Sequence, residues 1–454
     1  TSQNVKNYEN AWKQVNAHIE KRLPKSALEE VKKIYTLAKK ENQDAQIIKS
    51  LVYITALQQE NREDNEVFSV KELETEIASA NSSGKTAVSA ILQSLLAEVY
   101  WNYYQQNRWS LYNRTVTTAF QKDDLRTWST NDFHEKVGDL YLASIKNEKT
   151  LQQTKLQAFD AIIEKGNVRH LRPTLFDLLA HRALDYFEND ERYLTKPAFA
   201  FEISEPEAFA PAADFVKTKF TTTDTISLQF KALQVYQRLL SFHLNDKTPD
   251  ALIDADTRRL NFVKSKSVHT NKGELYFNAL SQLAKQYENV PAADQAWYLM
   301  ALHHVELAGD YEPFGDTTHR FEKVKAKEIC EKIIAQKDSS EGRVNCYNLL
   351  QAITTPSFQF HLEQVNVPGQ PFRALVEYTN VPKLHFRLIR SDEKTKDLLD
   401  DLHDKESRES LLKIKPLRSW EQALPAVNDL QEHSTEIKID ALTPGEYILI
   451  AGND

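Results

Sequence analysis

From Ser357 onward the chain alternates, with Phe358, Phe360 and Leu362 apolar and Gln359, His361 and Glu363 polar. Neighbouring side chains on a strand point to opposite faces, so a period of two predicts a half-buried β-strand. After the turn signal Pro368-Gly369-Gln370-Pro371 the alternation returns at Phe372, Ala374, Val376 and Tyr378, and again at Leu384, Phe386 and Leu388. It recurs at Thr435, Ile437 and Ile439, and a Pro444-Gly445 turn then leads into Tyr447–Ala451. At least five strands with turn residues between them predict an antiparallel sandwich. Between two of them, 392–413 is charged, with eight acidic and five basic residues around Leu398, Leu399, Leu402, Leu411 and Leu412. This stretch predicts a helical insertion that rests an apolar stripe on the sandwich or docks a partner.

Before Ser357 the period is helical. The spans Val5–Arg22, Ser26–Lys40, Ala45–Gln59 and Thr86–Gln106 read as amphipathic helices; in the third, Ile47, Ile48, Leu51, Val52 and Thr55 form the stripe. Further helices are predicted at Asn131–Ile145, Leu151–Glu164 and Pro173–Phe187, and at Thr225–Leu244, Pro249–Ser265 and Gly273–Tyr287. The series ends with Ala292–Leu307, Arg320–Gln336 and Gly342–Ile353. Pro197, Pro206 and Pro211 break the array, because proline lacks a backbone donor and disfavours helix just before itself. Phe199, Phe201 and Phe209 favour a loop packed on the helices. A weak echo relates Ala296–Tyr298 to Asn345–Tyr347; without the loop 309–319 it leaves a unit near the ~34 residues of helix-pair repeats.

The predicted class is mainly α with a C-terminal β module: a tetratricopeptide-like array of helical hairpins followed by an antiparallel, macroglobulin-like sandwich. The expected divisions are 1–192 and 225–354 for two parts of the array, 193–224 for the loop, and 355–454 for the sandwich.

Composition narrows the chemistry. Only 10 glycines in 454 residues argue against glycine-rich cofactor loops. A net charge of −8, without basic stretches interleaved with aromatics, gives nucleic-acid binding little electrostatic basis. No apolar run approaches the roughly 18 residues of a membrane span. The chain begins at Thr1, which leads to the expectation of a trimmed N-terminus whose signal peptide has already been removed.

Cys330 and Cys346 fall in one predicted helical hairpin. They form either a disulfide, closing a 17-residue loop and stabilising by roughly 3 kcal/mol, or two buried thiols. Tyr100, Trp101, Tyr104 and Trp109 lie in the most aromatic stretch. It is either a stacking platform for sugar, peptide or nucleic acid, or a core whose rings fill the space between helices.

Catalytic signatures are partial. Ser83-Gly84-Lys85-Thr86 resembles the end of a phosphate-binding loop, but Ser79 stands where the first glycine belongs. His134-Glu135 opens a zinc-protease pattern, but Gly138 replaces the second histidine. His303 and His304 point about 100° apart on a helix. The expectation is no enzyme, with no catalytic, cofactor-binding or metal-ligating residue and no cofactor.

The segments Ser357–Asn380, Lys415–Pro425 and Ile439–Ala451 resemble the first macroglobulin-type domain of bacterial alpha-2-macroglobulin-like proteins of the Bacteroidetes type. Asn107–Thr115 and Leu171–Leu179 resemble the helical region that precedes that domain. The resemblance implies an exported, non-catalytic N-terminal region of a proteinase inhibitor, either periplasmic or lipid-anchored at the outer membrane, any anchor lying upstream of Thr1. Its partners would be proteinases, reached through regions outside this chain, or envelope proteins. The family's Cys-x-Glu-Gln thioester motif is absent here, and its sandwich has about seven strands. The rival expectation is a self-contained helical-repeat adaptor that binds a protein or peptide partner.

Overall fold

The computed structural model describes residues 2–59, 65–111, 124–191, 199–337 and 339–453. They form two compact units, Thr1–Val290 and Pro291–Asp454.

The first unit is helical. It opens with α1 (Ser2–Glu20), α2 (Pro24–Lys40), α3 (Asp44–Gln59), α4 (Asn65–Ser82) and α5 (Thr86–Leu111). Proline is tolerated in a first turn, and in α2 Pro24 leads into Ala27, Val31, Ile34 and Ala38, which are buried at helical spacing. In α3 the buried stripe is Ile47, Ile48, Leu51 and Ile54, while Val52 is turned outward. Helix α4 was not among the predicted spans. Glu72, Glu74 and Glu76 alternate there with Leu73, Thr75 and Ile77, so the helical period is locally disguised as a period of two.

Next come α6 (Thr130–Ser144), the short α7 (Glu148–Gln153) and α8 (Leu175–Phe187). Capping boxes start α6 (Ser129 with Asp132) and α8 (Thr174 with Asp177). The helix expected over Leu151–Glu164 stops at Gln153. Beyond it, Lys155 bridges to Thr174 and the backbone continues as a single 3₁₀ turn and bends. Pro173 precedes the cap of α8 and lies outside its first turn. The unit ends with α9 (Ala212–Phe215), α10 (Leu228–His243), α11 (Asp250–Lys266) and α12 (Lys272–Gln286). Within the irregular interval, 192–198 lies outside the described residues. Phe201 and Phe209 are packed inside, whereas Phe199 is exposed.

The second unit starts with three mutually packed helices, α13 (Asp294–Leu307), α14 (Glu322–Ile334) and α15 (Glu341–Thr354). Six strands follow: β1 (Ser357–His361), β2 (Phe372–Thr379), β3 (Lys383–Arg390), β4 (Arg418–Ala423), β5 (His433–Ile439) and β6 (Tyr447–Gly452). They pair as two antiparallel three-stranded sheets in the orders β1-β2-β5 and β4-β3-β6. Ala374, Val376, Ile437 and Ile439 of one sheet meet Leu384 and Phe386 of the other, with Trp420 stacked on Phe386 at 5.2 Å. Strand β4 is the one that the period did not predict.

The insertion forms α16 (Glu393–Asp400) and α17 (Lys405–Lys413). Leu398, Leu399 and Leu411 pack on Ile389, Ile448 and Ile450, the outer face of the second sheet; Leu402 and Leu412 remain exposed. The mainly helical chain therefore ends in a β module, as the two periods require.

The three helices and the sandwich share buried polar contacts. Asp429, fully buried, accepts from Arg320 Nε at 2.8 Å and pairs with His433 Nε2 at 2.8 Å. The Gln431 amide donates to the carbonyls of Ala308 and Arg320. A boundary at 354/355 thus falls inside this unit.

Candidate functional site

The aromatic stretch occupies the C-terminal half of α5. Residues 100 and 104 are about 40° apart around a helix, whereas 100 and 109 are about 180° apart. The geometry follows that arithmetic. Tyr100 (3% exposed) stacks on Trp128 at 5.3 Å, and Tyr104 (1%) meets Phe133 and His134. Trp101 is half-buried, 5.1 Å from Tyr186 and 5.6 Å from His134. Tyr100 and Tyr104 are core, so they are unavailable as an interaction surface, while Trp101 is half-buried beside them. Only Trp109, 79% exposed with the Arg108 guanidinium 5.0 Å from its ring, stands at the surface.

Cys330 on α14 and Cys346 on α15 are both fully buried in the core shared by the three helices, and both are thiols in this structure. The Cys346 thiol hydrogen-bonds to Cys330, which holds Cys330 below and Cys346 above the ordinary thiol range.

The partial motifs resolve into structural roles. Gly84 has φ +67° and terminates α4, its N–H donating to the Asn81 carbonyl while Lys85 N–H reaches Ala80. This is a helix C-terminal turn, and the Lys85 ammonium is paired with Asp44 at 2.7 Å. His134 is a core residue whose Nδ1 lies 2.7 Å from the Tyr186 hydroxyl. At Gly138 a Cβ would come within 3.0 Å of the Lys231 ammonium, so no second ligand fits there. His304 pairs with Glu322 at 2.5 Å and His303 lies 3.5 Å from Glu306. Among the described residues no group of three or more metal-ligating side chains converges, and no helix is long and apolar enough to cross a membrane.

Two buried ionic clusters in the first unit escaped the sequence reading. In one, His243 Nε2 lies 2.6 Å from Asp177, the third residue of α8 and partner of its Thr174 cap, and Nδ1 lies 2.7 Å from Asp246. Burial works to lower the His243 pKa, but hydrogen bonds and charge from Asp177 and then Asp246 outweigh it and hold it above the ordinary histidine range. Beside it, His181 is held well below that range by burial and by Arg172 and Arg258. Arg258 is in turn engaged by Asp185 at 2.7 Å and Glu188 at 3.1 Å. In the other cluster Arg259, fully buried, pairs with Asp256 at 2.7 Å and donates to the carbonyls of Ala208 and Ala210. Its guanidinium covers the Phe215 ring at 4.3 Å, so one side chain pins the irregular 199–215 loop. Both imidazole nitrogens of His243 face carboxylates, which leaves none to activate a nucleophile.

A concavity lies elsewhere, at one end of the sandwich. A groove of about 740 Å³ runs between the stretch that follows β1, from Leu362 to Pro368, and strand β6. Phe372, Leu388, Ile439 and Leu449 line its floor, and Glu363, Lys396 and Glu446 stand at its rim. It offers an apolar trough beside a sheet edge, with Lys396 and Glu446 paired to each other. No family model matches the chain, and no curated protein matches it either.

Proposed function

We propose that this chain is a non-catalytic scaffold and interaction region of an exported alpha-2-macroglobulin-like proteinase inhibitor. The observation that carries the reading is the β module. The three segments whose sequence resembles a macroglobulin-type domain fold into the strands and turns of one two-sheet sandwich. Ser357–Asn380 supplies β1 and β2, Lys415–Pro425 supplies β4, and Ile439–Ala451 supplies the end of β5 and most of β6. The paired state of the buried ions supports a scaffold role, since side chains already satisfied by one another hold a fold and leave little to spend on a substrate. On this reading the protein is periplasmic or lipid-anchored at the outer membrane. It meets proteinases through regions outside this chain, or meets envelope proteins.

The test is the mass of the native protein in its source cells, detected with an antibody to this chain and compared with and without reductant. A band far above 52.3 kDa in the envelope fraction is the expected result, and a Cys330–Cys346 disulfide in that band would add support for export. A band near that mass sinks the inhibitor reading and leaves a helical-repeat adaptor binding a protein or peptide partner. Free thiols in the native protein, as the structure has them, would count against export.

A further inference from the structure

Asp429 does more than join the three helices to the sandwich. Arg320 Nε donates to its Oδ2 at 2.8 Å, while the Gln431 backbone amide and His433 Nε2 meet Oδ1 at 3.0 and 2.8 Å. Burial works against its charge, but hydrogen bonds from His433, Arg320 and Gln431 outweigh it and hold Asp429 below the ordinary carboxyl range. A carboxylate on one ring nitrogen fixes the tautomer, so neutral His433 keeps its proton on Nε2 and its lone pair on Nδ1. That Nδ1 has no partner among the described residues, and the side chain is 18% exposed.

His433 lines a pocket of about 350 Å³ between α14, the turn from β2 to β3, and the stretch 425–433. Small-ligand sites begin at about this size. Val324, Val381, Pro425, Val427 and Leu430 form apolar walls, and Lys327 brings an ammonium. Its pair with Glu331 is exposed and loose at 3.7 Å, so that charge is available to a ligand. The walls are held in shape: Asn380 Nδ2 donates to the Ile353 carbonyl, and the Tyr378 hydroxyl donates to the Pro425 carbonyl. Of the four non-glycine residues with positive φ among those described, Asn380 (+57°) and Leu430 (+61°) both line this pocket. A leucine in that conformation is strained, and strain of this kind gathers at sites whose shape matters. Among the described lining residues there is no serine, threonine or cysteine, so the Asp429–His433 pair has no nucleophile to activate. The pocket is suited to binding.

An occupant must meet three demands together. It needs a negative charge for Lys327, an N–H or O–H donor for His433 Nδ1, and an apolar group for the walls. The last residue of a peptide carries all three. We infer that this pocket binds the C-terminal residue of a peptide that ends in an apolar side chain, its carboxylate on Lys327 and its backbone N–H on His433 Nδ1. The inference stands apart from the proposed function, since every residue it uses belongs to the Pro291–Asp454 unit and none depends on regions outside this chain.

Calorimetric titration of the 454-residue chain with the peptide acetyl-Ala-Ala-Leu tests it, with the C-terminally amidated peptide as control. The free acid should bind within a range up to about 5 mM. Amidation and Lys327→Gln should each weaken binding at least about tenfold, because each removes one half of a charge-assisted hydrogen bond. Lys327 is partly exposed, and thermal unfolding of the variant checks that its fold is kept. Nuclear magnetic resonance of the unmutated chain with isotope-labelled histidine gives a readout that needs no variant. The free acid should move the Nδ1 resonance of His433, and the amide should not at the same concentration. No binding by the free acid, equal affinity for acid and amide, or binding that leaves His433 unmoved each overturns the proposal. Inorganic phosphate binding as tightly as the peptide would mark a plain anion site and overturns it as well.

Discussion

The two compact units treat their polar groups in opposite ways. In the Thr1–Val290 unit, Arg259, His243, Arg258 and Asp177 are turned inward and engaged by partners on other elements. In the Pro291–Asp454 unit, Asp429 is satisfied in the same manner, but the end of the sandwich carries an apolar groove between the stretch after β1 and the start of β6. The difference separates two meanings of conspicuous chemistry. A buried ion with its partners reports how a fold is held, and an apolar groove reports surface that the described fold leaves uncovered.

The largest break in that contrast should come from Arg259→Met. It leaves Asp256 buried without its counter-ion and frees the Ala208 and Ala210 carbonyls, so equilibrium unfolding should show a loss of about 3–5 kcal/mol. A change near zero would mean that Asp256 is neutral in the fold, where burial already raises its pKa.

In the second unit Gly342→Ala should cost about 1–3 kcal/mol, because an added Cβ would sit 2.2 Å from the Asp294 carbonyl carbon. That approach is where Ser340 caps α15 and donates to Asp294 at 2.6 Å, so α13 and α15 must separate to admit a methyl group. Urea unfolding of the variant measures it, and a Gly342→Ala protein as stable as the parent would place the two helices further apart than described.

The smallest effect is titration of His243. Its folded pKa lies above its unfolded value of about 6.5, so its contribution is fully present below that pH and is lost as pH rises through the folded pKa. Stability of the unmutated chain should therefore decline over that interval. His243→Gln should be less stable at low pH and show a flatter profile. Parallel profiles would show that the Asp177 and Asp246 contacts add nothing to the charged form.

Periodicity made the two fold types legible because burial of one face imposes 2 or 3.6 directly on the sequence. It failed where charge was interleaved with burial: β4 carries Arg418 and Glu421 at its edge, and α4 carries three glutamates in alternation. The separation of Trp109 from Tyr100 and Tyr104 was readable from helix rotation alone. The ionic clusters were not, since His243 and Asp177 are 66 residues apart and Arg259 and Ala208 are 51 apart. The one local sign was the Thr174–Asp177 capping box, which marks Asp177 as a helix start without naming its histidine.

Asp429 has a further consequence for how this protein can be divided. A piece beginning at Thr355 would carry that carboxylate in its interior without Arg320, and Gln431 would lose the carbonyls of Ala308 and Arg320. The inheritable piece is therefore larger than the sandwich. Three helices and six strands travel together, and a recombination or expression boundary that respects the folding unit falls near Pro291.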